Sequence, residues 1–192
     1  MIIDAATLDH YFATCAAGIG RSTIAAIVRV ESAANPWAIN DNTSRLSRQP
    51  GSYVEAVNMA NALIARGHLI DMGLGQINTR NLSMLRMNVN QIFEPCRNIA
   101  AASFILKSCY LPARNKFGEG QKALIHALSC YNTGSLYAGK HYVDKILAVA
   151  GANQALRALA AGALPQRERS SSSSMSRATL LVNFSSDDWR MF

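Results

Sequence analysis

Residues 24–32 read Ile-Ala-Ala-Ile-Val-Arg-Val-Glu-Ser, an apolar helical segment with an acidic side chain near its end. The spacing i, i+3, i+4 and i+7 puts four of these side chains on one face of a helix: Ile24, Ile27, Val28 and Glu31. Apolar residues at this period face a core. The pattern therefore predicts a helix whose last turn directs a carboxylate toward the buried side.

Helical periodicity extends outward from this segment over most of the chain. Asn40 to Gly51 is rich in Asn, Asp, Ser and Arg and predicts a loop. Strand signals are confined to at most a small hairpin, near Ala38–Asn42 or Gly73–Asn78, so the fold class is mostly α. The predicted helices are one carrying Leu8 to Cys15, one capped by Ser22 or Thr23 that ends near Ser32 and before Pro36, one from Tyr53 toward Gly67, about Arg97–Tyr110, about Glu119–Tyr131, and one that begins near His141 and restarts after Gly151.

The composition divides the chain into a domain and a tail. A length of 192 residues suits one domain with an appendage. After Leu164 the chain turns to Pro165, Gln-Arg-Glu-Arg and five serines, which is typical of a flexible linker. We therefore expect a domain over residues 1–164 and a Ser-rich flexible tail over residues 165–192. The apolar residues of Leu180–Phe192 leave two interpretations open, a docking segment for a partner or a disordered end.

Hydropathy and charge exclude several classes of protein. No apolar run approaches the ~18–20 residues of a bilayer span, so we expect no transmembrane segment. The net charge is +7, but the basic residues are scattered and aromatics make up only 7% of the chain. Nucleic-acid binders more often carry a basic stripe with interleaved aromatics, and we expect no nucleic-acid partner. Met1–Asp9 has no basic residue before its acidic ones and does not read as a secretory signal.

Glu31 differs from the other carboxylates before Leu164 because it continues an apolar stripe. Burial and the negative end of its own helix both disfavour the ionised form, so the pKa of Glu31 should be raised. A carboxylic acid that stays protonated near neutral pH suits the role of a general acid. The alternative is a structural ion pair with Arg29 or Arg21.

Two further segments carry polar groups in a suggestive arrangement. In Gly73-Leu-Gly-Gln-Ile-Asn78 the glycines permit a tight turn, and the two amides suit carbohydrate hydroxyl and acetamido groups. The alternative is a turn with incidental polar residues. In Ser129-Cys-Tyr-Asn-Thr-Gly134 a helix ends, with Asn132 or Gly134 as its left-handed cap. Tyr131 should be buried with its hydroxyl seeking a partner, and Tyr142 offers a second phenol.

The four cysteines allow three full pairings: Cys15, Cys96, Cys109 and Cys130. His126 and Cys130 lie four residues apart on a predicted helix, yet no second pair completes a tetrahedral zinc site. A nucleophilic cysteine beside its base is the other reading of that pair, and a buried cysteine is ordinarily part of a core. We predict no metal and no cofactor.

The order of these motifs carries a family resemblance. Glu31-Ser32, Gly73–Asn78, Ser129–Gly134 and Tyr142-Val143 together resemble lytic transglycosylases of the soluble, goose-lysozyme-like superfamily. The finer pattern is similar to the transglycosylase subunit of type IV secretion and conjugation systems. The resemblance spans roughly residues 5–150 and leaves the tail uncovered. The segments that carry the finer pattern are Asn35–Ile39, Asp71–Asn78 and Pro95–Ile99.

This resemblance implies a lysozyme-like helical domain with a cleft for the glycan of peptidoglycan. Such enzymes cleave the β-1,4 bond between N-acetylmuramic acid and N-acetylglucosamine without water and leave 1,6-anhydro-muramyl ends. One carboxylic acid serves as acid and then as base, and by motif position it is Glu31. The resemblance also implies a periplasmic location and possible contact of the tail with other secretion-system subunits. Its implied substrate-binding residues are Ser32, Gln76, Asn78, Tyr131, Asn132 and Tyr142.

Two rival functions stay open at this point. A goose-type lysozyme would hydrolyse the same bond and would need a second carboxylate, for which Asp71 and Asp41 are the candidates. A non-enzymatic basic helical adaptor would instead keep Glu31 in a structural ion pair.

The cysteines give one more expectation. An oxidising periplasm favours pairing of accessible thiols. A short antiparallel helix pair would bring Cys96 and Cys130 together, so this is the preferred bridge. Cys109 and Cys15 are then expected to be buried free thiols.

Overall fold

The computed structural model describes residues 1–46 and 48–160, with side chains as far as Gly151. Eight α-helices and one small antiparallel sheet build this part of the chain, which confirms the mostly α prediction. The predicted tail, residues 165–192, lies outside the described residues. The helices are α1 (Ala5–Cys15), α2 (Arg21–Ser32), α3 (Tyr53–Ala65), α4 (Leu82–Leu85), α5 (Val89–Ile92), α6 (Pro95–Phe117), α7 (Gln121–Thr133) and α8 (Lys140–Ala160), and the strands are β1 (Ile39–Asp41), β2 (Ile70–Met72) and β3 (Ile77–Asn78).

The sheet is larger than the single hairpin that the sequence predicted. Its order is β1-β2-β3, with Ile39 paired to Met72 and Asp71 paired to Asn78. Both segments predicted as alternative hairpins contribute a strand, and β2 joins them. With three residues, β2 is too short to produce a recognisable alternation in the sequence.

The second helix begins two to three residues earlier than predicted. Gly20 is the N-cap of α2, and its carbonyl accepts hydrogen bonds from the backbone N–H groups of Thr23 and Ile24. The predicted cap at Ser22 or Thr23 is therefore wrong. Both residues already lie in the first turn, and Thr23 is fully buried.

The helix α6 extends well beyond its predicted end at Tyr110. It begins at Pro95, where a proline at the first helical position suits the fixed φ, and it continues through Pro112 to Phe117. Pro112 is exposed, whereas the next residue, Ala113, is fully buried. Packing of this last turn offsets the backbone hydrogen bond that Pro112 cannot donate.

The last described helix, α8, is continuous where a break was predicted. It passes through Gly151 without a break, so the predicted restart there is wrong. α8 packs against α2, and α6 packs against α7 as the most extensive helix pair. The fully buried side chains between these elements include Ile24, Ile27, Ile99, Leu106 and Leu124. No helix in the described part of the chain has the length and apolar character needed to cross a membrane.

The cysteines form two disulfides, and neither is the predicted one. Cys15 bonds to Cys96 and Cys109 bonds to Cys130, with Cα atoms 5.4 and 5.7 Å apart. The predicted Cys96–Cys130 bridge and the predicted free thiols at Cys109 and Cys15 are wrong. Because α6 reaches Phe117, the turn to α7 falls at residues 118–120, and positions equally distant from that turn lie side by side. Cys130 therefore meets Cys109, and its sulfur is not available to a metal or as a nucleophile.

The Cys109–Cys130 bridge is expected to contribute measurably to stability. Replacing both residues by serine should lower the free energy of unfolding by about 3 kcal/mol, because the bridge closes a loop of about 20 residues in the unfolded chain. Urea denaturation without reductant measures the difference, which should vanish when reductant opens both bridges. Mass spectrometry of non-reduced peptides reports the pairing, and a Cys96–Cys130 peptide would contradict the structure.

Candidate active site

Glu31 lies in the last turn of α2, on the face that the sequence predicted. The stripe before it is buried, with Ile24 and Ile27 at 0% and Val28 at 1% exposure. Burial raises the pKa of Glu31 from 4.5 to about 7. The alternative ion pair with Arg21 does not form, since Arg21 pairs with Asp9 at 3.0 Å. Glu31 is thus an acid that is partly protonated at neutral pH.

Glu31 opens onto a cavity of about 280 Å³ between α2, the end of α7 and the start of α8. Among the described residues that line this cavity, Glu31 is the only carboxylic acid. The lining residues are Val30, Glu31, Asn132, Ala138, Gly139, His141, Tyr142 and Lys145.

Two tyrosines stand behind the carboxyl group of Glu31. Tyr142 is buried. Its hydroxyl lowers the pKa of Glu31 and so offsets part of the increase that burial causes. No hydrogen bond of ordinary length reaches that hydroxyl from the described residues, so its interaction with Glu31 is a longer one and the hydroxyl can also turn to a ligand. Tyr131 stacks on Tyr142 with ring centroids 6.5 Å apart, and its hydroxyl donates to the carbonyl of Gly75 at 2.6 Å. Burial raises the pKa of both phenols well above 10, which keeps them neutral donors.

Two charged side chains act on Glu31 with opposite sign. After burial and the Tyr142 hydroxyl, Asp71 raises the pKa of Glu31 and Lys145 lowers it. Sequence reasoning missed Lys145 and His141. Their spacing could have pointed to them, because Lys145 lies three residues after Tyr142 and four after His141, on the cavity-facing side of α8.

The glycine-rich turn between β2 and β3 is held by a buried asparagine. Asn98 is 1% exposed, and its amide donates to the carbonyls of Met72 and Ile92 at 2.9 and 2.8 Å. Its oxygen accepts the N–H of Gly75 at 2.7 Å. Gly73 has a φ of +74°, and a Cβ there would lie 2.2 Å from the Asn98 amide nitrogen, so only glycine fits. No local sequence pattern points to Asn98, although it fixes the position of Gly75, whose carbonyl Tyr131 contacts.

The other residues predicted to bind substrate make contacts within the protein. Gln76 has a φ of +50°, and its amide donates to the carbonyls of Ala38 and Gly73 at 3.1 and 3.0 Å. The hydroxyl of Ser32 donates to Val28 within its own helix at 3.1 Å. Neither residue lines the cavity of Glu31, whereas Asn132 and Tyr142 do.

Asp71, a candidate second carboxylate, sits among three amides. It accepts hydrogen bonds from Asn78 at 2.6 Å, from Asn42 at 2.8 Å and from Asn40 at 3.2 Å. Asn78 also caps the turn that follows β3 by accepting the N–H of Arg80 at 3.0 Å. Asp71 is therefore an organised acceptor near Glu31 with most of its oxygen positions in use.

The other candidate second carboxylate, Asp41, belongs to a structural cluster. Burial alone would raise the pKa of Asp41, but hydrogen bonds from His68, Ser44 and Thr43 outweigh it and hold that pKa well below its usual range. The three donors lie 2.7–2.8 Å from the carboxylate oxygens. Through these hydrogen bonds Asp41 stabilises the loop after β1, so its oxygens are not free to activate a water molecule.

A larger cavity of about 500 Å³ lies on the surface around the N-terminus. Its two acids are ordinary: the backbone N–H of Thr7 lowers the pKa of Asp4, and Glu94 pairs with Arg97 at 2.8 Å. Neither suits a general acid, so we assign the chemistry to the smaller cavity. The larger one is lined mainly by apolar side chains, among them Ile2, Ile3, Tyr11, Trp37 and Phe93.

Comparison with known proteins identifies relatives for most of the chain. Residues 11–165 match the family described as the transglycosylase SLT domain. The chain is 40% identical over 144 residues to the type IV secretion system protein virB1 of Brucella abortus, an alignment that covers 71% of this chain and 60% of that protein. It is 36% identical over 146 residues to protein virB1 of Rhizobium radiobacter, covering 75% and 61%, and 33% identical over 143 residues to protein virB1 of Agrobacterium fabrum, covering 73% and 58%. The chain thus spans about three fifths of the length of these relatives. No solved structure matches the chain.

Proposed function

Because the chain belongs to the transglycosylase SLT domain family, we propose that it is a peptidoglycan lytic transglycosylase. It cleaves the β-1,4 bond between N-acetylmuramic acid and N-acetylglucosamine and leaves a 1,6-anhydro-muramyl end. The single observation that carries the proposal is Glu31, the one carboxylic acid among the described lining residues of the cavity, with a pKa raised to about 7. A reaction that needs one carboxyl group, first as acid and then as base, fits this site better than one that needs two.

The proposed reaction proceeds in two proton transfers. The Glu31 carboxyl group gives its proton to the oxygen that bridges the two sugars, and the bond from C1 of the muramyl sugar to that oxygen breaks. The ionised Glu31 then takes the proton of the muramyl 6-hydroxyl while that oxygen bonds to C1. The anhydro ring closes, N-acetylglucosamine leaves with a new hydroxyl, and Glu31 returns to its protonated form.

The neighbours of Glu31 support both halves of this cycle. Burial favours the protonated acid before the first transfer, whereas Lys145 and the Tyr142 hydroxyl favour the carboxylate that the second transfer requires. Asn132, exposed in the cavity wall, is the most direct candidate for a contact with the sugar. The other residues assigned by motif position shape the cleft: Ser32, Gln76, Asn78 and Tyr131.

The relatives support a cellular role. The Brucella abortus relative is named a type IV secretion system protein, and a wall-cleaving enzyme in such a system would open peptidoglycan locally for assembly. Two disulfides fit a protein that works in the oxidising periplasm. We assign contact with other secretion-system subunits to residues 165–192. We also propose that the catalytic domain ends at residue 164.

Analysis of digested peptidoglycan tests the reaction directly. We expect muropeptides that end in 1,6-anhydro-N-acetylmuramic acid, each about 18 Da lighter than the hydrolysed product because no water is added. Mass spectrometry of products from purified sacculi separates the two. Products that carry the extra water would identify a hydrolase of the goose-lysozyme type, with Asp71 as the residue to test next. No cleavage at all, with the protein folded, would favour the basic adaptor.

A further inference from the structure

A cluster of aromatic and basic side chains covers the surface where α6 ends, α7 begins and the chain runs from α7 to α8. The rings of Phe117 and His126 stack with centroids 3.7 Å apart, and Tyr137 meets them edge-on at 6.2 and 5.6 Å. The ammonium of Lys116 lies 5.2 Å from the centre of the Tyr137 ring, and that of Lys122 lies 5.4 Å from the centre of Phe117. We call these five residues the aromatic–basic patch.

The patch is ordered although much of it faces solvent. Tyr137 is 58% exposed and still contacts two aromatic rings. His126 is fixed in turn by a 2.7 Å hydrogen bond between its Nδ1 and the carbonyl of Leu136. A ligand that binds here would meet side chains already in place, so little conformational entropy would be lost on binding.

The patch adjoins the cavity of Glu31. Ala138 and Gly139, the two residues after Tyr137, line that cavity. The N–H of Gly139 donates to the hydroxyl of Ser129 on α7 at 2.8 Å, and a Cβ on Gly139 would lie 2.7 Å from the Ser129 Cα. The Ser129 hydroxyl itself donates to the carbonyl of Ser135 at 2.7 Å. The segment is thus held against α7, and a ligand that extends past Ala138 meets Tyr137.

The charge of the patch is positive. Lys116 and Lys122 are exposed, and neither has an ion-pair partner within the described part of the chain. The acid nearest to them in sequence, Glu119, is paired with Arg114 at 3.7 Å. Two ammonium groups held over aromatic rings remain available to an anionic ligand.

We propose that the aromatic–basic patch binds the carboxylate-bearing peptide stem of the glycan strand whose sugars occupy the Glu31 cavity. The proposal rests on the proposed function, because it takes peptidoglycan as the polymer in the cleft. Lys116 and Lys122 pair with stem carboxylates, and the Tyr137 ring packs against the apolar part of the stem. The enzyme would accordingly prefer strands that still carry peptides.

Binding by a non-cleaving full-length protein tests the proposal without relying on catalysis. In the Glu31→Gln background, the double variant Lys116→Gln, Lys122→Gln should bind purified sacculi about five-fold more weakly, as expected for the loss of two exposed charge pairs. On glycan strands freed of peptides by an amidase, the same variant should lose less than about two-fold. Sedimentation of bound protein measures both affinities. The matched control is Arg66→Gln, Arg86→Gln, which removes the same charge from the exposed C-cap residues of α3 and α4.

The proposal would be overturned by unchanged binding to sacculi, by an equal loss on both polymers, or by an equal loss in the arginine control. A steep, lysine-dependent affinity for DNA without preference for peptide-bearing sacculi would also overturn it, in favour of a nucleic-acid surface. Failure of the proposed function gives a different result, because the wild-type protein would then yield no anhydro products even where the lysine-dependent preference is present.

Discussion

The Glu31→Gln variant is expected to cleave peptidoglycan at least about a hundred-fold more slowly than the wild-type protein while staying folded. Glutamine has nearly the same shape as glutamate, but it can neither give a proton to the bridging oxygen nor take one from the 6-hydroxyl. The initial rate of anhydro-muropeptide release from sacculi measures the loss. Glu119→Gln is the matched control, since that side chain is 81% exposed and lies outside the lining of the cavity. A folded Glu31→Gln protein that keeps more than about a tenth of the wild-type rate would contradict the assignment.

The pH dependence of activity and stability should follow the same carboxyl group. Activity is expected to fall as pH rises through about 7, because the fraction of protonated Glu31 falls there. The free energy of unfolding should also fall as pH rises through this range. Since folding raises the pKa of Glu31 from 4.5 to about 7, the contribution of the neutral acid is complete below the unfolded pKa and is lost as pH rises through the folded pKa.

Glutamine cannot ionise, so only the wild-type protein loses this contribution as pH rises. The melting temperature of Glu31→Gln minus that of the wild type should therefore increase from pH 5 to pH 8. Calorimetry at several pH values in that range measures the difference. A difference that stays constant with pH would mean that the pKa of Glu31 is not raised in the folded protein.

A second large effect is expected from Asn98→Asp. Aspartate has the shape of asparagine but cannot donate hydrogen bonds to the carbonyls of Met72 and Ile92, and it brings a carboxylate into a site that is 1% exposed. The free energy of unfolding should fall by about 3 kcal/mol or more, because two buried hydrogen bonds are lost and their acceptors are left unsatisfied. Urea denaturation measures the loss.

Asn58→Asp is the control for this substitution, since Asn58 is exposed on α3 and the same chemical change should cost little there. If Asn98→Asp were as stable as the control, the three hydrogen bonds of Asn98 would not hold the turn between β2 and β3.

The parts of the site that lie on one helix could be predicted from the sequence, because a single period of 3.6 residues governs them. The stripe that ends at Glu31 is such a part: burial of Ile24, Ile27 and Val28 follows from spacing, and the raised pKa follows from burial. The same helical spacing would have identified Lys145 once Tyr142 had been placed on its helix.

Contacts between distant segments could not be predicted in this way. Asn98 reaches the glycine-rich turn 23 residues earlier in the chain, and no local pattern marks a side chain that bonds to remote backbone. The disulfides depend on where α6 ends, and the predicted end at Tyr110 lies about two turns before the observed end at Phe117. An error of that size in one helix changes which cysteines lie opposite each other.

The Cys15–Cys96 bridge also bears on how the protein withstands proteases. The bridge encloses α2, the sheet and the polar loop of residues 42–52, so a single cut in that loop would leave both pieces covalently joined. The piece that carries Glu31 would stay attached to the piece that carries Tyr131 and Tyr142. A nicked protein would therefore keep a complete site until a reductant released it. Outside the cytoplasm, where thiol reductants are scarce and peptidases abundant, such a molecule would outlast an unbridged one.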